Sequence, residues 1–261
     1  MLIEGAFYKL SDYFQSIESP GELYEAQVSF IFAVAIFQEF QVRGFPYLLP
    51  YIQLERQYPE RDKKVDIYVK IPKEKLPHEL LHRWANSGVC EENWIEVKFF
   101  GGAERKDSTE AKSQNLGNIL CDLLRLKYYV RDGGKYLLLV FNRMPEYYLP
   151  IKRKREERSY VKDLLSFGTK TVKIDFDREV DTVINTISKS DEELGKIIRE
   201  KKIIELNVQT YCIEPILVRG LLIPPYSSSP IRRSKTYPGI SVGEPTYYFY
   251  LIRILERYEE I

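Results

Sequence analysis

The chain has 261 residues, of which 44% are hydrophobic and 30% charged. That balance supports a packed core and argues against intrinsic disorder. A formal net charge of +1 argues against a protein that coats nucleic acid through bulk positive charge, although an enzyme can confine its positive charge to one cleft. No apolar run is long enough for a membrane span, and the longest, Val28 to Phe37, has the length of a buried helix. The N-terminus lacks the basic region, apolar block and small-residue cleavage site of a secretory signal. The three cysteines (Cys90, Cys121 and Cys212) are widely spaced, form no zinc-like pair and read as reduced thiols. These features together predict a cytoplasmic protein with no membrane partner.

In chain order, Ser19-Pro20-Gly21 opens a helix from about Glu22 to Phe40, with Ala26, Phe30, Ala33, Val34 and Phe37 at helical spacing; Gly44 and Pro46 end it. Tyr51 to Gln57 reads as a strand, Pro59-Glu60-Arg61-Asp62 as a turn and Val65 to Ile71 as the returning strand. A connection with a short helix leads to a third strand, Asn93 to Phe100, stopped by Gly101-Gly102. Asp107 and Glu110 have capping-box spacing and start a helix to about Tyr129, with Leu116, Leu120, Leu123, Leu124 and Lys127 marking its rows. Asp132-Gly133-Gly134 turns the chain into Lys135 to Asn142, an apolar run of the kind buried on both faces. Beyond it, Val172 to Phe176 predicts a strand and Asp177 to Ile187 a helix. Ser190 with Glu193 caps a further helix to about Lys202, Ile203 to Leu222 holds one or two strands, and Tyr247 to Leu255 is a strand or helix. The fold class is α/β.

The third strand carries the chemistry. Side chains alternate along a strand, so Glu96 and Lys98 share one face while Ile95, Val97 and Phe99 pack on the other. A second acid, Asp66, sits in the preceding strand. Two acids and a lysine converging at one edge of a sheet can hold Mg²⁺ and orient a water beside a phosphate.

This element order, with Asp66 on the second strand and Glu96-x-Lys98 on the third, resembles the PD-(D/E)xK nuclease superfamily over Glu22 to Asn142. No proline precedes Asp66; Lys64-Val65 does. The resemblance implies a restriction-endonuclease-like core in residues 1–145, with a central mixed β-sheet flanked by helices. Residues 146–261 would form a C-terminal α/β extension for DNA recognition and dimerisation, within the same compact domain or beside it. It also implies Mg²⁺, with Mn²⁺ able to substitute, held by Asp66, Glu96 and the Val97 carbonyl. Lys98 would orient the attacking water, or deprotonate it if burial depresses its pKa. A glutamate of the first helix, Glu25 in preference to Glu22, would support a second metal or hold Lys98. The implied activity is that of a type II restriction endonuclease. Such an enzyme is a homodimer without a small-molecule cofactor, cutting double-stranded DNA to a 5′-phosphate and a 3′-hydroxyl. Lys64, Arg153, Arg155, Arg232, Arg233 and Lys235 are the candidate DNA contacts. A junction resolvase or repair nuclease, or a non-catalytic DNA-binding module on the same fold, would keep the same core.

A rival motif is His78-Glu79-Leu80-Leu81-His82, the HExxH signature of zinc peptidases. On a helix the two imidazoles would share a face, with Glu79 as general base and Glu92, Glu96 or Glu104 as third ligand. Pro77 immediately before His78 and Arg83 immediately after His82 fit a short surface helix better than a long buried one.

Overall fold

The computed structural model describes residues 2–17, 23–44, 46–59, 61–71, 74, 91–101, 109–153, 156–217 and 246–255. Helices α1 (Leu2–Gln15) and α2 (Glu25–Val42) come first, followed by a 3-10 turn at Pro46–Tyr51. Strands β1 (Ile52–Gln57), β2 (Lys64–Lys70) and β3 (Glu92–Phe100) precede helix α3 (Thr109–Tyr129) and strand β4 (Gly134–Phe141). A short helix α4 (Pro145–Tyr148), a β5 (Lys152–Arg153)–β6 (Glu156–Glu157) hairpin and helix α5 (Ser159–Leu165) lead to β7 (Gly168–Asp175). Helices α6 (Asp181–Ser190) and α7 (Glu192–Lys201) and strands β8 (Ile203–Leu217) and β9 (Thr246–Leu255) follow.

One seven-stranded mixed sheet in the order β1-β2-β3-β4-β9-β8-β7 organises the molecule. Only β3 and β4 run parallel, and α3 makes the crossover that a parallel pair requires. All other neighbours are antiparallel. Strands from both halves of the sequence share this sheet, because β9 pairs with β4 along Lys135↔Ile254 to Phe141↔Tyr248.

Strand alternation divides the core into two layers. Ile67, Val69, Ile95, Val97, Phe99, Leu138 and Val140 face α1 and α2. Tyr68, Trp94, Phe100, Leu137, Leu139 and Phe141 face α3 and the helices packed against it. Every residue of β4 is buried, as a strand covered on both faces should be.

Several boundaries and faces differ from the sequence reading. Helix α1 is an element it did not predict; Leu2, Ile3, Ala6, Phe7, Leu10 and Phe14 form its buried stripe. In α2 the buried face is Val28, Phe32, Ala33, Ala35, Ile36 and Phe40, whereas Ala26 and Phe30 face outward. The helix is apolar nearly all round, so periodicity alone does not select the face. The cap of α7 is Asp191, whose side chain accepts from the Leu194 N–H, in place of Ser190. The predicted helix from Asp177 opens as a 3-10 turn, Phe176–Arg178, and turns α-helical only at Asp181. Residues 203–217 form one strand with an irregularity between Ile213 and Ile216, and 246–255 is a strand. No described helix is long and apolar enough to cross a membrane.

Candidate active site

The site forms where β2 parts from β3. Their ladder runs from Lys70↔Glu92 to Ile67↔Ile95, and continuing it one step would set Asp66 against Glu96. At that point the Asp66 side chain intervenes instead. Its Oδ2 accepts the Val97 N–H at 2.6 Å, taking a bond that backbone would otherwise make. The neighbouring strand is irregular at the same level: Glu55 of β1 has φ +53°, a left-handed conformation uncommon outside glycine. Two residues along β3, the Glu25 Oε2 accepts the Phe99 N–H at 3.2 Å. Carboxylates from β2 and from the first turn of α2 therefore satisfy β3 where the sheet opens.

Lys98 sits at the centre of this opening. Its Nζ lies 3.3 Å from Glu25 Oε1, 3.2 Å from Asp122 Oδ2 and 3.2 Å from the Val97 carbonyl oxygen, to which it donates. Asp122 belongs to α3 and is buried. Its other oxygen accepts from Arg125 at 3.1 Å, and Arg125 also contacts Asp191 and donates to the Ser190 carbonyl. Glu96 is only 3% exposed and accepts a 2.6 Å hydrogen bond from the Tyr58 hydroxyl. Tyr58 is itself buried, stacked on Trp94 and edge-on to Tyr129.

Electrostatics follow from this crowding. Burial raises the Glu96 carboxyl well above its ordinary range, and the Asp122 and Asp66 carboxylates push it further. Burial likewise raises Asp66, against the pull of Lys98 and the Val97 N–H, and raises Asp122. Burial works against the Lys98 ammonium, yet Asp122, Glu25, Asp66 and Glu96 outweigh it and hold the amine above its usual pKa. Of the two roles the resemblance implies for Lys98, orienting a water or deprotonating it, the acids around the amine favour the first, because they favour the ammonium that donates hydrogen bonds.

Among the described residues, no three His, Cys, Asp or Glu side chains form a ready metal cage. The available donors are two hard carboxylates, Asp66 and Glu96, and the Val97 carbonyl. That set matches Mg²⁺, which commonly takes one or two protein carboxylates and completes its shell with water and substrate phosphate.

Asp66, Glu96, Val97, Lys98 and Glu25 thus come together from three elements. Lys64, the first residue of β2, pairs with Glu55 at 3.1 Å on an exposed surface. The Arg153 backbone lies in the β5–β6 hairpin, opposite Glu156. Glu22, Arg155, Arg232, Arg233 and Lys235 lie outside the described residues, as do His78, Glu79, His82 and Glu104. Of the possible zinc ligands, Glu92 pairs with Lys70 at 3.2 Å and Glu96 is engaged by Tyr58.

Sequence reasoning missed Tyr58, Asp122 and Arg125. For the latter two a signal existed: Ile119 to Leu126 is apolar except for Asp122 and Arg125, and charged residues inside such a run are rarely buried without a partner. Tyr58, next to a turn, offers none.

No family model matches the chain, and neither a curated protein nor a solved structure is significantly similar to it.

Proposed function

We propose that the chain is a Mg²⁺-dependent DNA endonuclease built on a restriction-endonuclease-like core. The observation that carries this reading is the meeting of Asp66 with Glu96 and Lys98 where β2 leaves β3. The succession β1–β2–β3, α3, β4, with β3 and β4 parallel, agrees with the core that the PD-(D/E)xK resemblance implies. Five buried or half-buried charges gathered at one sheet opening are costly for a purely structural role.

In this reading Asp66, Glu96 and the Val97 carbonyl would hold the cation. When bound, it supplies charge neutralisation at the phosphate and a water of lowered pKa. Lys98, kept protonated by its four acids, donates hydrogen bonds to the attacking water or a phosphate oxygen and stabilises charge that builds there. Glu25 and Asp122 fix the ammonium from two sides. Tyr58 fixes the orientation of Glu96. The products would be a 5′-phosphate and a 3′-hydroxyl.

The test is digestion of long duplex and branched DNA with Mg²⁺ or Mn²⁺. Cleavage is expected, lowered about 10²–10⁴-fold by Asp66→Ala, Glu96→Ala or Lys98→Ala. Cleavage that survives all three substitutions, or none by the wild type on any DNA, overturns the reading. Discrete bands from duplex would mark a sequence-specific enzyme, whose homodimer sedimentation would detect. Cleavage confined to branched or unpaired DNA would mark a structure-specific one.

Tyr58→Phe is expected to keep the fold and lower Mn²⁺ affinity about 10–100-fold, as loss of a partner behind a metal ligand commonly does. Isothermal titration checks this, and an unchanged affinity removes Tyr58 from the site.

A further inference from the structure

A cleft of about 730 Å³ opens beside Lys98 between α3 and the end of β3, with Tyr147 and Tyr148 of α4 on its far wall. Its size falls in the range of pockets that enclose small ligands, about 300–1,000 Å³. That volume suits a nucleotide or two of one strand and is too small for a duplex.

The chemistry of its walls is specific. Gln114, Asn118 and Asp122 follow one another at i, i+4 spacing, so they stand on one face of α3. Asp122 ends the row against Lys98. Asn115, beside them, donates to the Tyr148 carbonyl at 3.1 Å and ties α3 to α4. Among the described residues, no hydrogen bond engages the carboxamides of Gln114 and Asn118. A carboxamide offers donors and an acceptor together, which suits the Watson–Crick edge of a base. That edge is accessible only when the base is unpaired. Lys112 lines the outer part of the cleft, where its Nζ donates to the Glu146 carbonyl at 3.2 Å and lies 5.7 Å from the centre of the Tyr147 ring; Arg143, outside the lining, lies 4.8 Å from the same ring. They place positive charge beyond the carboxamides, at the end of the cleft away from the acids.

The cleft therefore changes along its length: the Glu25–Lys98–Asp122–Arg125 ion cluster beside the proposed metal site at one end, the carboxamides of Gln114 and Asn118 in the middle and Lys112 toward the other. We infer that it takes an unpaired stretch of the DNA strand next to the phosphate that the cation at Asp66 and Glu96 would bind, with Gln114 and Asn118 on its bases and Lys112 and Arg143 toward the next phosphate. This inference rests on the endonuclease reading and narrows its substrate to strands with unpaired nucleotides at the cut.

Fluorescence polarisation in Ca²⁺ tests it, with a labelled short single strand, the blunt duplex of the same sequence and a duplex bearing an unpaired tail. The single strand and the tailed duplex are expected to bind at least about fivefold tighter than the blunt duplex. The Gln114→Ala/Asn118→Ala double variant, with helicity checked by circular dichroism, is expected to erase that preference while binding Mn²⁺ as the wild type does. Equal binding of all three DNAs, or a preference unchanged in the double variant, overturns the inference. If wild type binds Mn²⁺ and Asp66→Asn does not, yet unpaired DNA gains nothing, the strand assignment fails and the metal site stands. If wild type binds no Mn²⁺, the endonuclease reading itself falls, and this inference with it.

Discussion

Glu96→Gln is expected to raise the melting temperature of the metal-free protein and, at the same time, to abolish cleavage. Glutamine keeps the shape of the side chain and an oxygen to accept from the Tyr58 hydroxyl, now 2.6 Å away. It removes a buried negative charge that burial, Asp122 and Asp66 all oppose. Relief of such repulsion commonly contributes about 0.5–2 kcal/mol, or roughly 1–8 °C for a chain of this size. The same change deletes a hard anionic ligand, so cleavage should fall about 10²–10⁴-fold. Thermal denaturation in chelator and a DNA digest on the same preparation measure both effects. A structural ion cluster predicts the opposite sign, because removing one acid would leave the Lys98 and Arg125 cations less well compensated and lower the melting temperature. A gain in stability together with a loss of cleavage is the pair of results expected of an acid kept for its ligand role.

What the sequence made legible depended on how local the determinant was. The alternation Trp94-Ile95-Glu96-Val97-Lys98-Phe99 fixes which side chains share a face, and the structure keeps that assignment. The all-apolar run of β4 announces a strand covered on both sides. Helix α2 shows the limit of such patterns: apolar on nearly every face, it gave no clue that Phe30 would point outward. Helix α1 is a different case. Its stripe at Leu2, Ala6, Leu10 and Phe14 is regular, but Gly5 interrupts the helical pattern and the stripe starts too near the chain end to show a cap. The insertion of β9 between β4 and β8 is a non-local pairing that no local pattern encodes. Asp66, Glu96 and Lys98 could be singled out as a group because they stand on strands with clear periodicity, and the structure brings them together. Tyr58 and Asp122 were not, because their roles come from which side chains meet across the core and not from spacing along the chain.

Mg²⁺ is expected to stabilise the wild type strongly near neutral pH and hardly at all in acid. A ligand present at a hundred times its Kd contributes about 2.7 kcal/mol, equivalent to roughly 5–11 °C here. Asp66, Glu96 and Asp122 each hold a proton more tightly in the folded chain than their ordinary pKa allows. An acid raised by folding costs stability above its folded pKa and nothing below its unfolded one. The metal-free protein should therefore gain stability from these groups as pH falls from neutral through their raised values toward the usual carboxylate range. Protons and the cation compete for the same oxygens, so the Mg²⁺-induced shift should shrink over that same interval. Calorimetry at about pH 8 and about pH 5, with Mg²⁺ and with chelator, reads both slopes. The Glu96→Gln variant should show a small Mg²⁺ shift at either pH, because the change removes one of the two carboxylates that would hold the cation. A wild-type shift that is absent at neutral pH, or equally large in acid, would mean that Asp66 and Glu96 hold no cation. The buried acids would then belong to the architecture of the sheet alone.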